Sequence, residues 1–343
     1  TVNLTTASAS SVSFSNNDST FNALTANGGS STSFGSGLTI ATDTGKLDLD
    51  STSITSAGAL TLTGATGIDF GAGVTFTAGG DLTMSTTSGD ISGTGTFTLT
   101  STGDISLSEN LTTAGATVIT ADSDASGAGD FSIDASTTLS TGNNSLALTA
   151  NDVTVSGSIS SGTGSTTIAV SDGGTIGLGG TSGDMTITGT ELGNITAGTL
   201  NIGDSSTGNI TVDGISAANS NNATTVNLTT ASASSVSFSN NASTFQALDV
   251  SSGNGINQSV NLTTSSTATL DADSNDDGSF SETVGAEEFL NEFGGNAVKS
   301  PFQDGHYIYT VIAGGGSGQS SYSPILYVAD LESPANFKKK LQP

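Results

Sequence analysis

Acidic and amide side chains between residues 271 and 278 have the spacing of a calcium-binding loop. Asp273, Asn275 and Asp277 alternate and are followed by a glycine, as in the first half of an EF-hand loop, where alternate oxygens face one cation. The second half of that pattern is missing, because Val284 stands at the twelfth position. A plain turn rich in Asp and Asn is the alternative. The sequence predicts calcium as the one candidate cofactor, with four ligands: Asp271, Asp273, Asn275 and Asp277.

Other candidate chemistry in this chain is weaker. Asp122, Asp124 and Asp130 are lesser calcium candidates. Cleavage of polysaccharides needs clustered carboxylates together with a cation, but the chain has no Arg, and Lys46 is the only Lys before residue 299. His306 is the only histidine, and it has no Cys or second His with which to hold a metal. We therefore predict that the protein is not an enzyme.

Thr-x-Thr runs, such as Thr75-Phe76-Thr77, suggest a further function, the binding of ice. That function requires a regular threonine array on one face of successive coils. The spacing between the runs varies along the chain, which argues against such an array. Thr is also favoured on any half-exposed strand surface.

A recurring tripeptide of Gly, then Asp or Asn, then a large apolar residue predicts the elements that carry these side chains. Each tripeptide opens a short segment in which apolar residues alternate with Thr or Ser, as in a strand with one buried face. Successive tripeptides recur at steps that sum to about 23 to 27 residues, a length typical of one coil of a β-solenoid. The seven tripeptides begin at Gly80, Gly89, Gly103, Gly129, Gly183, Gly193 and Gly208.

Composition agrees with an ordered, acidic, secreted rod. The chain of 343 residues has 46 Gly, no Cys and a formal net charge of −26. The low cation content makes nucleic acid an improbable partner, because binding to phosphates needs Lys or Arg. No run of 18 apolar residues occurs, so no membrane span is predicted. No signal peptide opens the sequence, which we interpret as a mature or excised segment.

Residues 1–24 return almost unchanged at residues 225–248. The two copies differ only at Asp18/Ala242 and Asn22/Gln246. Such copying suits a solenoid, because each coil contacts only its neighbours.

Residues 280–343 differ in composition from the rest and form a second predicted module. All four Tyr, all four Pro and four of the five Lys lie there. Residues 286–293 predict a short helix, residues 306–313 and 322–329 predict a β-hairpin, and Lys338, Lys339 and Lys340 form a basic tail. We predict that this module caps the shaft or docks on another subunit.

The repeat style, with GDLTMS, GDISLS and STGNITVDG, resembles the filamentous haemagglutinin type of bacterial secreted repeat protein. The resemblance covers roughly residues 1–279 and carries no site residues; residues 280–343 depart from it. It implies a right-handed parallel β-helix, here of about 11 coils, and an extracellular or cell-surface location with a structural or adhesive role.

The expected function is a structural subunit that joins head to tail into an extracellular filament. The C-terminal module would dock on the first coils of the next subunit. The alternative is a monomeric adhesin shaft that binds a receptor or glycan. The predicted interface residues are Tyr307, Ile308, Tyr309, Val311, Ile325, Leu326, Tyr327, Lys338, Lys339 and Lys340.

Overall fold

The computed structural model describes residues 1–275 and the short strands that follow them. Within the described residues, the chain folds as an all-β parallel β-solenoid of about twelve turns with almost no helix, which confirms the predicted architecture of the shaft. Residues 286–293, His306 and the other residues between the later strands lie outside the described residues.

The strands are mostly three to six residues long. In chain order they are β1 (Val2–Thr5), β2 (Ser11–Phe14), β3 (Ser19–Phe21), β4 (Leu24–Asn27), β5 (Ser31–Phe34), β6 (Leu38–Thr42), β7 (Leu47–Leu49), β8 (Ser53–Ser56), β9 (Leu60–Gly64), β10 (Ile68–Phe70), β11 (Val74–Ala78), β12 (Leu82–Thr86), β13 (Ile91–Gly93), β14 (Phe97–Ser101), β15 (Ile105–Leu107), β16 (Leu111–Thr113), β17 (Thr117–Thr120), β18 (Phe131–Ile133), β19 (Thr138–Ser140), β20 (Leu146–Ala150), β21 (Val153–Val155), β22 (Ser158–Ser160), β23 (Ser165–Val170), β24 (Ile176–Gly179), β25 (Met185–Ile187), β26 (Ile195–Ile202), β27 (Ile210–Asp213), β28 (Ala223–Thr229), β29 (Val236–Phe238), β30 (Ser243–Phe245), β31 (Leu248–Ser251), β32 (Ile256–Gln258), β33 (Leu262–Thr264), β34 (Ala268–Asp271), β35 (Thr283–Val284), β36 (Phe302–Gln303), β37 (Tyr307–Ile312), β38 (Ile325–Asp330) and β39 (Phe337–Lys339). Two short helices interrupt them, α1 (Gly189–Gly193) and α2 (Ala217–Ser220).

Three parallel sheets form the sides of the solenoid, and each successive strand of a coil lies on the next side. Face 1 contains β1, β4, β7, β10, β13, β16, β19, β22 and the start of β26. Face 2 contains β2, β5, β8, β11, β14, β17, β20, β23, the end of β26, β28, β31 and β34. Face 3 contains β3, β6, β9, β12, β15, β18 and β21. Among the described residues, face 2 therefore stacks twelve strands, one turn more than the predicted number.

The alternation of apolar and hydroxyl residues explains why these segments form strands around one core. In β9 and β14, for example, every second side chain is buried, and Leu62 and Leu99 have no exposed surface. Because successive strand residues point to opposite sides of the sheet, the intervening Thr residues face outward. Each tripeptide places its apolar residue as the first residue of a strand, as predicted; these seven strands are β12, β13, β15, β18, β25, β26 and β27.

The corners inside the coil bury hydroxyl groups that bind each other or the backbone. Thr32 and Ser51 are both buried, and their hydroxyl oxygens lie 2.6 Å apart. Ser51 Oγ also accepts the Gly28 N–H at 2.8 Å. Such pairing offsets the cost of removing polar groups from water.

The regular order of coils breaks between β23 and β28. β24 is followed after five residues by β25, and the two strands pair in parallel. These strands belong to a sheet with the order β25, β24, β27, β29, β32, β35. Asp152, which precedes β21, accepts the Thr186 N–H of β25 at 2.8 Å. β25 therefore lies between β21 and β24, so the chain returns by one layer before it continues.

The two copies of the 24-residue repeat lie on different faces. Val2–Thr5 is a face 1 strand and Ser11–Phe14 a face 2 strand. In the second copy, Ala223–Thr229 contains the residues that match Val2–Thr5, and it lies on face 2. The segment before the second copy is irregular, because the eight-residue β26 spans faces 1 and 2. The second copy therefore begins on face 2 rather than on face 1.

The later strands form an antiparallel sheet in the order β36, β37, β38, β39. β37 lies within the first arm of the predicted hairpin, and β38 overlaps the second arm and extends one residue beyond it; Tyr307 pairs with Asp330 and Ile312 with Ile325.

Candidate functional site: the acidic corners and the first coil

The aspartates of the tripeptides form a ladder from coil to coil. The Asp81 carboxylate accepts the Asp104 N–H at 3.1 Å, and the Asp104 carboxylate accepts the Asp130 N–H at 2.9 Å. Asp130 then accepts the Asp152 N–H at 3.1 Å. Each side chain thereby satisfies a corner N–H of the next turn, which a neutral apolar residue could not do.

Asn209 of the last tripeptide acts in the same way, because its Oδ1 accepts the Ser235 N–H at 2.9 Å. On face 1, Asp90 accepts a hydrogen bond from the Asn110 amide at 2.9 Å, and Asn110 accepts the Thr138 N–H at 2.9 Å. These contacts show that polar side chains at the corners connect neighbouring turns.

Asp122, one of the lesser calcium candidates, is a buried carboxylate. It is 1% exposed and accepts hydrogen bonds from Ser126 N–H and Oγ, from Gly127 N–H and from Ser171 Oγ, at 2.6 to 3.0 Å. Burial alone would raise the pKa of Asp122, but these four donors outweigh it and hold the pKa below its ordinary value. The carboxylate fixes the loop that starts at Asp122 and ties it to the turn that contains Ser171.

The main acidic cluster of face 1 was not singled out from sequence. Asp48 and Asp69 are register partners on β7 and β10, and Lys46 Nζ lies 2.5 Å from Asp69 Oδ2. Burial, together with the nearby carboxylates of Asp50 and Asp69, raises the pKa of Asp48 to about 6. Burial also opposes ionisation of Asp69, but hydrogen bonds from Lys46 and Ser92 prevail and lower its pKa. The signal in the sequence that could have revealed this ion pair is its spacing, because Lys46 and Asp69 are 23 residues apart, which is one coil length.

The described residues include three of the four predicted calcium ligands, Asp271, Asp273 and Asn275. Asp271 ends β34 and is exposed, Asp273 is buried, and the Asp273 N–H donates to Asp271 Oδ1 at 3.2 Å. The Asn275 amide donates to the Ser232 carbonyl at 3.3 Å. Within residues 1–275, no three His, Cys, Asp or Glu side chains are grouped as metal ligands. Asp277 lies outside the described residues, so calcium stays a prediction.

Of the predicted interface residues, nine lie on described strands and one, Lys340, does not. Tyr307, Ile308, Tyr309 and Val311 are on β37; Ile325, Leu326 and Tyr327 are on β38; Lys338 and Lys339 are on β39. Their backbone placement in one antiparallel sheet is compatible with the interface prediction but does not test it.

The first coil differs in burial from the interior coil that shares its sequence. Val2 is 42% exposed, whereas Val226 is 1% exposed. Phe21 is half-buried, whereas its counterpart Phe245 is fully buried. For the valines the cause is stacking: β28 pairs with both β26 and β31, but β1 pairs only with β4 among the described strands. For Phe245, α2 contacts its strand β30.

No protein-family model, curated protein or solved structure matches this chain. The class that the fold defines is a parallel β-solenoid repeat protein, an architecture that is typically structural rather than catalytic. Neither α1 nor α2, the helices of the described residues, has the length and apolar character needed to cross a membrane.

Proposed function

We propose that this chain is a structural rod whose copies join head to tail into an extracellular filament. The single observation that carries the proposal is the second copy of the 24-residue repeat, in which the strand that matches Val2–Thr5 pairs on both of its edges. In this chain β1, β2 and β3 each pair on one side only within the described residues. Unpaired strand edges are templates for the addition of another strand.

The second copy of the repeat indicates what such an edge accepts. Val226, Asn227 and Leu228 pair with Leu200, Asn201 and Ile202 of β26. The Asn227 amide donates to Asn201 Oδ1 at 2.9 Å. A strand with an apolar, polar, apolar sequence therefore fits an edge of this sequence. Val2, Asn3 and Leu4 present the same edge in the first coil.

The C-terminal strands are the proposed partner of that edge in a neighbouring molecule. β36 and β39 are the outer strands of the sheet that contains β37 and β38. Addition of an outer strand to the edge would provide main-chain hydrogen bonds, and the apolar and aromatic residues of β37 and β38 would provide side-chain contacts. The Lys residues of β39 would meet a neighbour of high negative charge. Because two different surfaces are joined, the contact is open-ended and builds a fibre rather than a ring.

Electron microscopy of purified protein tests the proposal. We expect the intact chain to form long fibres, and we expect a chain without residues 284–343 to remain as short rods. Val2→Asp places a charge on the edge and should also stop growth. Val118→Asp is the matched control, because Val118 is 39% exposed, similar to Val2, but lies on β17 in the middle of face 2.

Short rods from the intact chain at every protein concentration would contradict the filament. They would favour the alternative role, a monomeric shaft that carries a receptor-binding or glycan-binding element.

A further inference from the structure

The outward side chains of face 2 form two straight columns of hydroxyl groups from β2 to β20. We call this surface the hydroxyl face. Twelve of its fourteen positions are Ser or Thr, and the other two are Val118 and Ala147. The first column is Ser11, Ser31, Ser53, Thr75, Thr98, Val118 and Ala147. The second column is Ser13, Ser33, Thr55, Thr77, Thr100, Thr120 and Thr149.

The columns are regular because the strands pair in register, although the number of residues between successive column positions varies along the sequence. Thr55 pairs with Thr77, Thr77 with Thr100, Thr100 with Thr120, and Thr120 with Thr149. The steps range from 20 to 29 residues, as the residue numbers of these pairs show. The corners and loops absorb the difference, so the irregular spacing that argued against a threonine array does not prevent one.

Most hydroxyl groups of the hydroxyl face are left available. Ser11 and Ser31 bond each other, but the other ten form no side-chain hydrogen bond in the described part of the chain. On face 3, by contrast, Ser106 and Ser132 are hydrogen-bonded between coils. On face 1, Ser92 bonds the Asp69 carboxylate.

Charge is also excluded from the hydroxyl face. None of its fourteen positions is ionisable, in a chain with a net charge of −26. On face 1, by contrast, the outward residues of neighbouring strands include the register partners Asp48 and Asp69. The hydroxyl face therefore carries no charge, in contrast to face 1.

We propose that the hydroxyl face binds ice, that is, an ordered lattice of water. Stacked strands repeat about every 4.8 Å, and alternate residues of one strand lie roughly 6.6 to 7 Å apart, so the hydroxyls form a two-dimensional grid. Each hydroxyl donates one hydrogen bond and accepts others, as lattice water does. The threonine methyl groups, Val118 and Ala147 add apolar surface between the hydroxyls. A repeating, neutral surface without aromatic residues matches a repeating ligand rather than a single sugar or ion.

The test measures thermal hysteresis and inhibition of ice recrystallisation by the full chain and by two matched double variants. T77E/T100E changes neighbouring coils of the hydroxyl face. T61E/T83E makes the same change at outward register partners on face 3. We expect the intact chain and T61E/T83E to be active and T77E/T100E to lose activity, with all three showing the same circular dichroism and cooperative melting.

Two results would overturn the proposal. One is an intact, folded chain that neither slows recrystallisation nor produces thermal hysteresis. The other is equal loss of activity in both double variants, since the effect would then not belong to the hydroxyl face. Ice binding does not depend on filament assembly, so the Val2→Asp rods provide an active monomeric form in which to repeat the measurement.

Discussion

A single carboxylate oxygen links one turn of this solenoid to the next at the corner that Asp81, Asp104 and Asp130 occupy. Oδ1 of each residue accepts a backbone N–H of the following coil. A hydrogen bond that involves a charged group contributes more than a neutral one. The acidic residues of the tripeptide are therefore structural, and their charge also keeps the rod soluble.

Asp48 and Asp69 predict opposite dependences of stability on pH. The pKa of Asp48 in the folded protein, about 6, exceeds its ordinary value of 3.8. Its protonated form thus favours folding, a contribution that is full below about pH 4 and is lost as the pH rises through 6. The pKa of Asp69 is lowered, so its contribution is present above the ordinary value and is lost as the pH falls through the folded value.

We therefore expect Asp48→Asn to stabilise the protein at pH 7 and Asp69→Asn to destabilise it, each by up to about 1 kcal/mol because both groups are partly solvated. The measurement is the melting temperature of each variant between about pH 4 and pH 7. The idea fails if both variants shift the melting temperature at pH 7 in the same direction.

At the scale of elements, the connection between β24 and β25 is the least regular part of the shaft. Parallel neighbours usually need a crossover of a dozen or more residues, but only five separate these two strands. The connection passes directly over Gly177 of β24, where a Cβ atom would lie 2.5 Å from the Thr181 carbonyl oxygen. The close approach of backbone to backbone requires glycine here.

Gly177→Ala should therefore destabilise the protein by about 1 to 3 kcal/mol, because the return segment must move. Gly93→Ala is the control: a Cβ atom at this buried strand position would be 3.5 Å from the nearest atom, an ordinary contact, and we expect little change. Urea unfolding of both variants gives the comparison. Equal stabilities would show that the return segment does not pack on Gly177.

At the scale of the whole molecule, the effect of stacking can be tested because one sequence occurs twice, in the first described coil and in a later coil with described neighbours on both sides. Phe21 packs edge-on against Phe14 with ring centroids 6.3 Å apart and remains half-buried. Its counterpart Phe245 is fully buried on β30, a strand that pairs with β33 and contacts α2. The same side chain should therefore contribute differently in the two places.

We expect Phe245→Ala to cost about 3 to 5 kcal/mol, as for a buried aromatic residue. Phe21→Ala should cost about 1 to 2 kcal/mol, in proportion to its smaller buried area. Urea unfolding followed by far-ultraviolet circular dichroism measures both, and hydrogen exchange locates any local opening of the first coil. Equal costs would mean that position in the stack does not govern the contribution of a coil.

Much of the shaft was predictable from sequence because a solenoid coil is specified locally. Alternation of apolar residues with Thr or Ser predicts the strands, and Gly followed by Asp or Asn marks where seven of them begin. The site residues were less accessible. The pairing of Lys46 with Asp69, and the burial of Asp122 beside Ser171, join side chains from different coils, and loops of varying length conceal such neighbours.

The sequence by itself determined that each coil has an apolar inside, a hydroxyl-rich outside and acidic corners, since these follow from side-chain alternation within a strand. Only the tertiary structure decided which face each strand occupies. Residues 1–24 and 225–248 differ at two positions and yet begin on different faces. The physical reason is that each coil pairs through its backbone with the neighbouring coil, so that coil, and not the strand's own residues, sets the face on which a strand lies. The same backbone pairing aligns the threonines of the hydroxyl face.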